Sequence, residues 1–255
     1  MRSDSRTVIH AEVLYDGVTS HENRSVVVED GIITDVVSGR LDPDFSGFVT
    51  PAFIDAHSHI GMDREGEPWT ESETNDVLGQ ILPVNDPLNS IYFDDRAFSD
   101  AVDFGVLYSC VVPGSGNLLG GRAKVIRNFA ANRKTAEIKD YGYKMALGFN
   151  PRSTTEWKGD RPNTRMGIYA LLEQKLSDVV SKRKKADLKR RRDLHKLKQD
   201  AGKNSYTPED IEFQNSLIEE EYTNTFSPPE NALLELMSGE KQRRSMYTRK
   251  TMFSI

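Results

Sequence analysis

The segment from Phe48 to His59 constrains the fold more than any other part of the chain. It reads Phe-Val-Thr-Pro-Ala-Phe-Ile-Asp-Ala-His-Ser-His, and its brief apolar run, Phe53–Ala56, ends abruptly in polar residues. Strands of a parallel α/β barrel deliver polar side chains to the rim at their carboxyl ends in this way. Residues i and i+2 of a strand point to the same face. His57 and His59 therefore place two imidazoles side by side, at a spacing suited to one divalent metal ion.

Three short segments rich in Val and Ile precede this motif. They are Thr7–Tyr15, Ser25–Glu29 and Ile32–Val37, and the turn signals Asp16-Gly17 and Asp30-Gly31 separate them. A strand, a tight Asp-Gly turn and a second strand are typical of a hairpin. Residues 1–50 are therefore predicted to form a small antiparallel sheet, or one segment of a small β-sandwich.

Strand and helix patterns alternate after the two histidines. The sequence predicts a helix at Asp94–Phe104, a buried strand at Val106–Val112, a helix at Ala123–Ala131 and a short strand at Lys144–Gly148. Alternation of this kind indicates a parallel α/β sheet or barrel. We accordingly predict that residues 51–240 form part of such a barrel.

A long charged segment interrupts this alternation. The chain looks helical from Thr164 to about Ala201, and Ser181–Arg192 within it is strongly basic. The following stretch, Asn204–Thr225, is acidic and polar, which predicts a loop with a helical piece. We interpret residues 180–225 as a charged insertion whose two parts offset one another. The basic run is interpreted as a solvated helix face, because the interleaved aromatic residues of a nucleic-acid site do not accompany it.

Charge and composition narrow the class of partner. The net charge of −5 at pH 7 disfavours a nucleic-acid or anionic-membrane surface, so the expected partner is a small molecule. The amino terminus lacks the apolar core of a secretory signal, and no stretch approaches the roughly 20 apolar residues of a membrane helix. The single cysteine, Cys110, lies in an apolar run and cannot form an internal disulfide. A cytoplasmic protein is expected.

The motif and its surroundings resemble a known superfamily. Residues Val49–Gly61 are similar to the signature that opens the barrel of amidohydrolase-superfamily proteins, in which a β-rich segment precedes a Pro-x-x-x-Asp-x-His-x-His strand. The similarity continues through Asp103–Gly121, Lys144–Arg152 and Thr164–Gly167, and covers roughly residues 7–240. Within the superfamily, the chain most resembles imidazolonepropionase-related amidohydrolases.

This resemblance implies a fold, a reaction and ligands. It implies the first half of a distorted (β/α)8 barrel in which His57 and His59 bind zinc or a similar divalent ion. It also implies that metal-activated water hydrolyses a non-peptide C–N bond, as in a cyclic amide or amidine, while a carboxylate manages the protons. Asp55 is interpreted as a structural or supporting group rather than the catalytic base.

Loop residues that follow two of the predicted strands are candidates for substrate contact. A glycine-rich loop at the carboxyl end of a strand can approach a ligand closely, although an ordinary βα turn accounts for the same pattern. The candidates are Asn117, Gly120, Gly121, Arg122, Asn150 and Arg152.

The chain departs from the family pattern in two respects. Many relatives carry a glutamate where this chain has Phe149, and a phenylalanine cannot coordinate a metal, which argues against a binuclear centre. The family's further metal histidines and its catalytic aspartate come from the second half of the barrel. The only histidine after His59 is His195, which is interpreted as a surface residue of the basic helix.

The final residues suggest why a second half is missing. Residues 241–255 are basic and show neither strand nor helix periodicity, and a one-base shift of permitted codons after Ser245 gives a family-like strand with histidines. Our hypothesis is that a frameshift truncated the barrel and left the chain inactive alone. The alternative is a non-catalytic, metal-binding half-barrel that acts with a partner, either as a homo-oligomer or with a complementing C-terminal fragment. A third interpretation, nucleic-acid binding through Lys182–Arg192, is disfavoured.

Overall fold

The computed structural model describes residues 6–203, 206–239 and 242–246, the last of these by backbone alone. The chain divides into two compact units, residues 1–53 and residues 54–255. Among the helices that the model describes, none combines the length and the apolar character that a membrane span requires.

The first unit is a four-stranded sheet. Its strands are β1 (Arg6–Tyr15), β2 (Ser20–Glu29), β3 (Ile32–Ser38) and β4 (Phe45–Val49), in the order β3-β2-β1-β4. The hairpins β1–β2 and β2–β3 are antiparallel, which confirms the three predicted strands. Gly31 has a φ of +79°, a conformation that glycine adopts without steric cost in such a turn.

Strand β4 is absent from the sequence prediction, and it makes the sheet mixed because it runs parallel to β1. Asp44 fixes its start: the Val8 amide donates to Asp44 Oδ2 over 2.8 Å, and the Asp44 amide donates to the Val8 carbonyl over 2.8 Å. Sequence patterns miss this strand because the segment is short and is held by long-range contacts rather than by a hairpin turn.

The second unit contains a five-stranded sheet. Its strands follow one another across the sheet in chain order: β5 (Phe53–Ser58), β6 (Val106–Val111), β7 (Leu119–Arg127), β8 (Glu137–Ala146) and β9 (Gln242–Met246). The pairs β6–β7 and β7–β8 are antiparallel, whereas β8–β9 is parallel. The described residues form no closed barrel. Strand β9 lies in a segment for which the sequence predicted no strand.

The helix predicted at Ala123–Ala131 is wrong, because most of this segment belongs to β7. Two features hide the strand. Register shifts at Ala123/Lys124 and at Val125/Ile126 break the alternation of a regular strand. Lys124 is also buried despite its charge. Because a charged residue occupies this buried position of the strand, the apolar residues around it imitate the spacing of a helix. The parallel alternation predicted for this region is likewise wrong, since β6, β7 and β8 form an antiparallel meander.

Five α-helices accompany the strands in the described residues: α1 (Arg96–Asp103), α2 (Arg133–Ala136), α3 (Arg165–Lys203), α4 (Pro208–Asn224) and α5 (Pro228–Ser238). The predictions of α1 and α3 are confirmed. Helix α4 occupies most of a stretch that was predicted to be largely loop. Its start is explained by a capping box, in which Thr207 and Asp210 satisfy each other's backbone amides.

Helices α3 and α5 pack against the second sheet. A buried cluster joins them to β7 and β8 through Leu119, Tyr143, Met145, Val179, Ala232, Leu233 and Leu236. The Tyr143 hydroxyl donates to Glu235, and burial together with that bond raises the pKa of Tyr143. A separate cluster packs α1 and α2 on β6 and β7 through Met62, Leu88, Phe98, Val111, Ile126 and Ala136.

Glu230 connects α5 to α3. Its carboxylate accepts hydrogen bonds from Lys182 Nζ at 2.8 and 2.9 Å, and from the amide and hydroxyl of Ser227 at the start of α5. These contacts, the Lys182 bond first, lower the pKa of Glu230 from 4.5 to about 2. The ionised carboxylate therefore stabilises the fold fully above pH 4.5, and this stabilisation is lost as the pH falls towards 2.

We predict that Glu230→Gln lowers the free energy of unfolding at pH 7 by about 1 kcal/mol, the usual value of a helix cap. At a pH of about 2 most of the difference from the unsubstituted chain should disappear, because the Glu230 carboxyl is then about half protonated in the folded chain and almost fully protonated in the unfolded chain. Urea unfolding at the two pH values measures both quantities. Glu173→Gln, at an exposed position of α3, is the matched control and should change neither. An equal loss at both pH values would contradict the assigned role of the charge.

Candidate functional site

The two histidines lie at the carboxyl end of β5 and just beyond it. Their ring centroids are 5.4 Å apart and their ring planes meet at 81°, so one ring presents its edge to the other. Asp55 supports the turn at this point, because its Oδ1 accepts a hydrogen bond from the His57 amide over 2.9 Å. The strand thus delivers two neighbouring imidazoles, and Asp55 serves the backbone.

His59 is fixed by the neighbouring strand. Its Nδ1 lies 2.7 Å from the Val112 carbonyl oxygen, just after β6, and the Val112 amide donates to the Ser58 carbonyl over 3.0 Å. A carbonyl can only accept, so Nδ1 carries the proton and Nε2 keeps its lone pair. Burial lowers the pKa of His59 and outweighs the Val112 hydrogen bond, which raises it. The positive charge of Lys144 lowers the pKa further. A neutral imidazole with an available Nε2 follows.

Lys144 on β8 is the site residue that sequence analysis missed. It is 1% exposed, and its Nζ lies 3.3 Å from His57 Nε2. Burial lowers the pKa of Lys144 to about 8. The sequence does contain a signal: a lysine lies inside the largely apolar run Tyr-Gly-Tyr-Lys-Met-Ala, which is typical of a buried strand. A lysine is rarely buried without a specific role. Periodicity alone assigns this lysine only the first position of a short strand.

The donors present fit a zinc-type ion in kind. Neutral imidazole nitrogen is a common zinc ligand, and a hydrogen bond from the other ring nitrogen to a carbonyl is the usual way in which such a ligand is oriented. His59 has this arrangement. Within residues 6–203, 206–239 and 242–246, no group of three or more histidine, cysteine or acidic side chains lies in a position to hold an ion. The described residues thus supply two nitrogen ligands.

Two of the polar candidates for substrate contact are held by intramolecular contacts. Asn117 is buried, donates to the Asp76 carbonyl over 2.9 Å, and accepts from Arg161 over 3.2 Å. Arg122 forms an ion pair with Asp140 at 3.0 Å. Asn117 therefore organises the loop, and Arg122 organises the sheet beside it.

Asn150 and Arg152 lie in a short 3-10 helix after β8. The Asn150 amide donates to Ser115 Oγ, which ties this turn to the loop that follows β6. Arg152 donates to the Gly148 carbonyl over 3.0 Å, and its guanidinium lies 5.6 Å from the centre of the Phe149 ring. The structure thus joins the two predicted loops to each other through Asn150.

A cavity of about 440 Å³ has residues close in sequence to His59 in its lining. Gly120 belongs to its lining, as do Met62, whose amide donates to the His59 carbonyl, and Pro113, which follows Val112. The remaining lining is mainly polar: Ser72, Glu73, Thr74, Asn75, Asp76, Val84, Asn85, Asp86, Pro87, Asn89 and Ser90. The volume is that of a site for a small molecule.

Gly121 allows the wall of this cavity to approach β7. It has a φ of +147°, and a Cβ at this position would lie 2.6 Å from the Asn85 carbonyl oxygen. That same oxygen accepts a hydrogen bond from the Arg122 amide over 2.8 Å. The two glycines, proposed from the sequence for close approach to a ligand, thus have different surroundings: Gly120 lines the cavity, whereas Gly121 contacts backbone.

Known amidohydrolases resemble the chain in sequence and in structure. No protein-family model matches the chain. The sequence is 28% identical over 165 residues to amidohydrolase tasK from Hapsidospora irregularis, a match that covers 59% of this chain and 16% of that protein. In structure, the chain is similar to an amidohydrolase from Thermotoga maritima MSB8, with a TM-score of 0.68 and 24% identity. This similarity covers 93% of the chain and 57% of the Thermotoga protein.

The structural similarity shows an amidohydrolase-type fold, and the sequence similarity supports an amidohydrolase-type family. The predicted mixed α/β chain with an N-terminal sheet is confirmed. The half-barrel stays a prediction, as do the ligand and substrate roles of the individual residues. The chain spans a little over half of its structural relative and about a sixth of its sequence relative.

Gly121→Ala should destabilise the chain. The new methyl group collides with the Asn85 carbonyl and the backbone leaves a φ that suits glycine, so we expect a loss of about 1–3 kcal/mol in the free energy of unfolding. Chemical denaturation measures the loss. Gly202→Ala, at a helical position with no atom near the new Cβ, is the control and should be neutral or slightly stabilising. A neutral Gly121→Ala would contradict the tight approach of Asn85.

Lys144→Met should raise the pKa of His59, because it removes a positive charge that disfavours the imidazolium form. Titration of the imidazole carbon-bound protons by NMR, in metal-free buffer, measures the shift. Lys139→Met, at an exposed position of the same strand, is the matched control. A His59 pKa that stays the same or falls in Lys144→Met would show that Lys144 does not act on this ring.

Proposed function

We propose that the chain contributes the first metal ligands of an amidohydrolase-type hydrolase. In this proposal His57 and His59 hold a divalent ion, most suitably zinc. The substrate is a small molecule with a non-peptide C–N bond, such as a cyclic amide or amidine. The similarity to two amidohydrolases supports the reaction class, and the paired imidazoles support the metal.

The observation that carries the proposal is the bond between His59 Nδ1 and the Val112 carbonyl. It fixes the tautomer, so that Nε2 keeps its lone pair, and it fixes the ring plane. A histidine with only a packing role needs neither. The bond also joins the end of β5 to the residue after β6, so the position of the ring depends on the sheet rather than on a mobile loop.

The surrounding residues have separate tasks in this proposal. A bound divalent ion would supply Lewis acidity, polarising the carbonyl or imino bond of the substrate so that its carbon is open to attack by water. The fixed ring of His59 would set the position of the ion. Lys144 Nζ lies 3.3 Å from His57 Nε2, so its ammonium must release a proton or move before a cation binds to that nitrogen. The polar cavity lined by Met62 and Pro113, which are close in sequence to His59 and Val112, offers room for a small substrate.

A second candidate function is a non-catalytic metal-binding unit that acts with a partner. One observation favours it: the described residues offer two nitrogen ligands and no cluster of three. In that case the chain binds metal without turnover, and a partner supplies the remaining ligands. The two candidates share His57 and His59 and differ in catalysis.

The finer assignments belong to the same proposal. They are an imidazolonepropionase-related branch and a cytoplasmic location. The branch is proposed from the resemblance of residues 7–240 to imidazolonepropionase-related amidohydrolases within the superfamily.

We predict that the metal-free chain binds one equivalent of Co²⁺ or Zn²⁺, and that His57→Ala and His59→Ala each weaken binding by at least about 10- to 100-fold. Isothermal titration calorimetry and the visible spectrum of bound Co²⁺ provide the measurement. His195→Ala, on the surface of α3, is the matched control. Equal binding by all three variants would refute the assignment. The loaded chain alone is expected to be inactive, so turnover of cyclic amides is measured after addition of a second chain that supplies the remaining ligands: turnover identifies the hydrolase, and metal binding without turnover identifies the non-catalytic unit.

A further inference from the structure

The α3–α4 hairpin uses one side of each helix to hold itself together. Arg190 forms an ion pair with Glu219 at 2.7 Å, and the Tyr222 hydroxyl donates to Asp187 over 2.7 Å. Residue numbers rise along α3 as they fall along α4, so the two helices are antiparallel. The Arg190–Glu219 pair neutralises part of the basic run of α3. The opposite sides of both helices face away from the pair.

The outward side of α4 is acidic and apolar. Phe213 is 61% exposed and Leu217 is 43% exposed, although both are large hydrophobic residues. Glu209 precedes Phe213 by four residues and Glu220 follows Leu217 by three, so the four side chains share one side of the helix. We name Glu209, Phe213, Leu217 and Glu220 the acidic stripe. Ile218, which is half-buried, lies on the other side, towards α3.

The outward side of α3 is basic around one exposed leucine. Leu188 is 53% exposed. Lys184 precedes it by four residues, and Arg191 and Arg192 follow it by three and four, so all four lie on one side of the helix. The residues are exposed, whereas the ion pairs of α3 with α4 use Lys189 and Arg190, and Lys182 pairs with Glu230 of α5. We name Lys184, Leu188, Arg191 and Arg192 the basic stripe.

We propose that the chain self-associates through these two stripes, with the basic stripe of one copy on the acidic stripe of a second copy. Each stripe has apolar side chains between charges of one sign, and the signs are opposite. The stripes also match in length, about 12 Å for Lys184–Arg192 and about 16 Å for Glu209–Glu220 at the rise of an α-helix. Contact between two identical stripes is disfavoured because like charges repel.

A second copy accounts for more of this surface than a polyanion does. A nucleic acid would use the basic stripe and leave Phe213 and Leu217 of the acidic stripe uncovered. It would also approach a chain whose net charge is −5. A second copy covers exposed hydrophobic residues of both helices and pairs both sets of charges.

The form of the contact determines its behaviour. The contact joins two different surfaces. An assembly of any length therefore has an unused basic stripe at one end and an unused acidic stripe at the other, and association is head-to-tail. The contact is small and charged at its edges. It is therefore a weak, concentration-dependent contact that salt weakens, because exposed charges are screened within about 8–10 Å near physiological ionic strength.

The test uses the full chain in analytical ultracentrifugation. At low salt the unsubstituted chain should sediment faster as concentration rises, and higher salt should reduce the effect. Arg191→Glu/Arg192→Glu and Glu209→Lys/Glu220→Lys should each reduce the association constant by at least about tenfold, since each leaves two stripes of like charge. Lys134→Glu/Lys158→Glu makes the same change of charge as the first variant at exposed positions outside the hairpin, and should associate normally.

Mixing the two stripe variants gives the decisive result. Each fails to associate alone, but the first variant keeps the native acidic stripe and the second keeps the native basic stripe, so the mixture should recover association. Circular dichroism confirms that each variant remains helical. A chain that stays monomeric at every concentration, a mixture that fails to recover, or association that appears only after an oligonucleotide is added would overturn the proposal.

Discussion

A buried lysine in the middle of the second sheet determines how its strands and loops fit together. Lys124 on β7 is 6% exposed and forms ion pairs with Asp86 at 3.6 Å, with Glu137 at 2.7 Å and with Asp140. Burial acts to lower the pKa of Lys124, but the bonds to Asp140 and Glu137 outweigh it, so the pKa is raised. A buried charge that lost these partners would be strongly destabilising. The same carboxylates fix β8 beside β7 and hold the loop at Asp86 against the sheet, and that loop forms part of the cavity wall.

The register set in this way brings the site together. His57 lies on β5 and Lys144 on β8, three strand positions apart in the sheet. With neighbouring strands about 4.8 Å apart, a flat sheet would separate the two backbones by roughly 14 Å. Their side chains nevertheless approach within 3.3 Å. This contact between residues on β5 and β8 therefore depends on the folded sheet and not on spacing in the sequence.

The sequence predicted best where structure depends on local periodicity. The first three strands, α1 and the long α3 follow from Asp-Gly turns and from regular apolar spacing. The histidine pair is visible in the sequence because two imidazoles on one face of a strand have the spacing of metal ligands. Strand β7 was mistaken for a helix because its burial depends on Lys124 and its distant carboxylates. Lys144 was missed for a related reason: only the folded register shows that it lies against His57, 87 residues earlier in the chain.

In the metal site that we propose, the hydrogen bond between His59 and Val112 would make metal affinity a measure of folding. An unfolded chain still contains His57 and His59, but it has no carbonyl in place to orient the second ring, so binding energy is available mainly to the folded sheet. A bound ion consequently stabilises β5 and β6 together. Any substitution that loosens β6 lowers affinity without touching a ligand, and the loss resembles damage to the site itself. Affinity and unfolding therefore have to be measured on the same sample before a residue is assigned to chemistry.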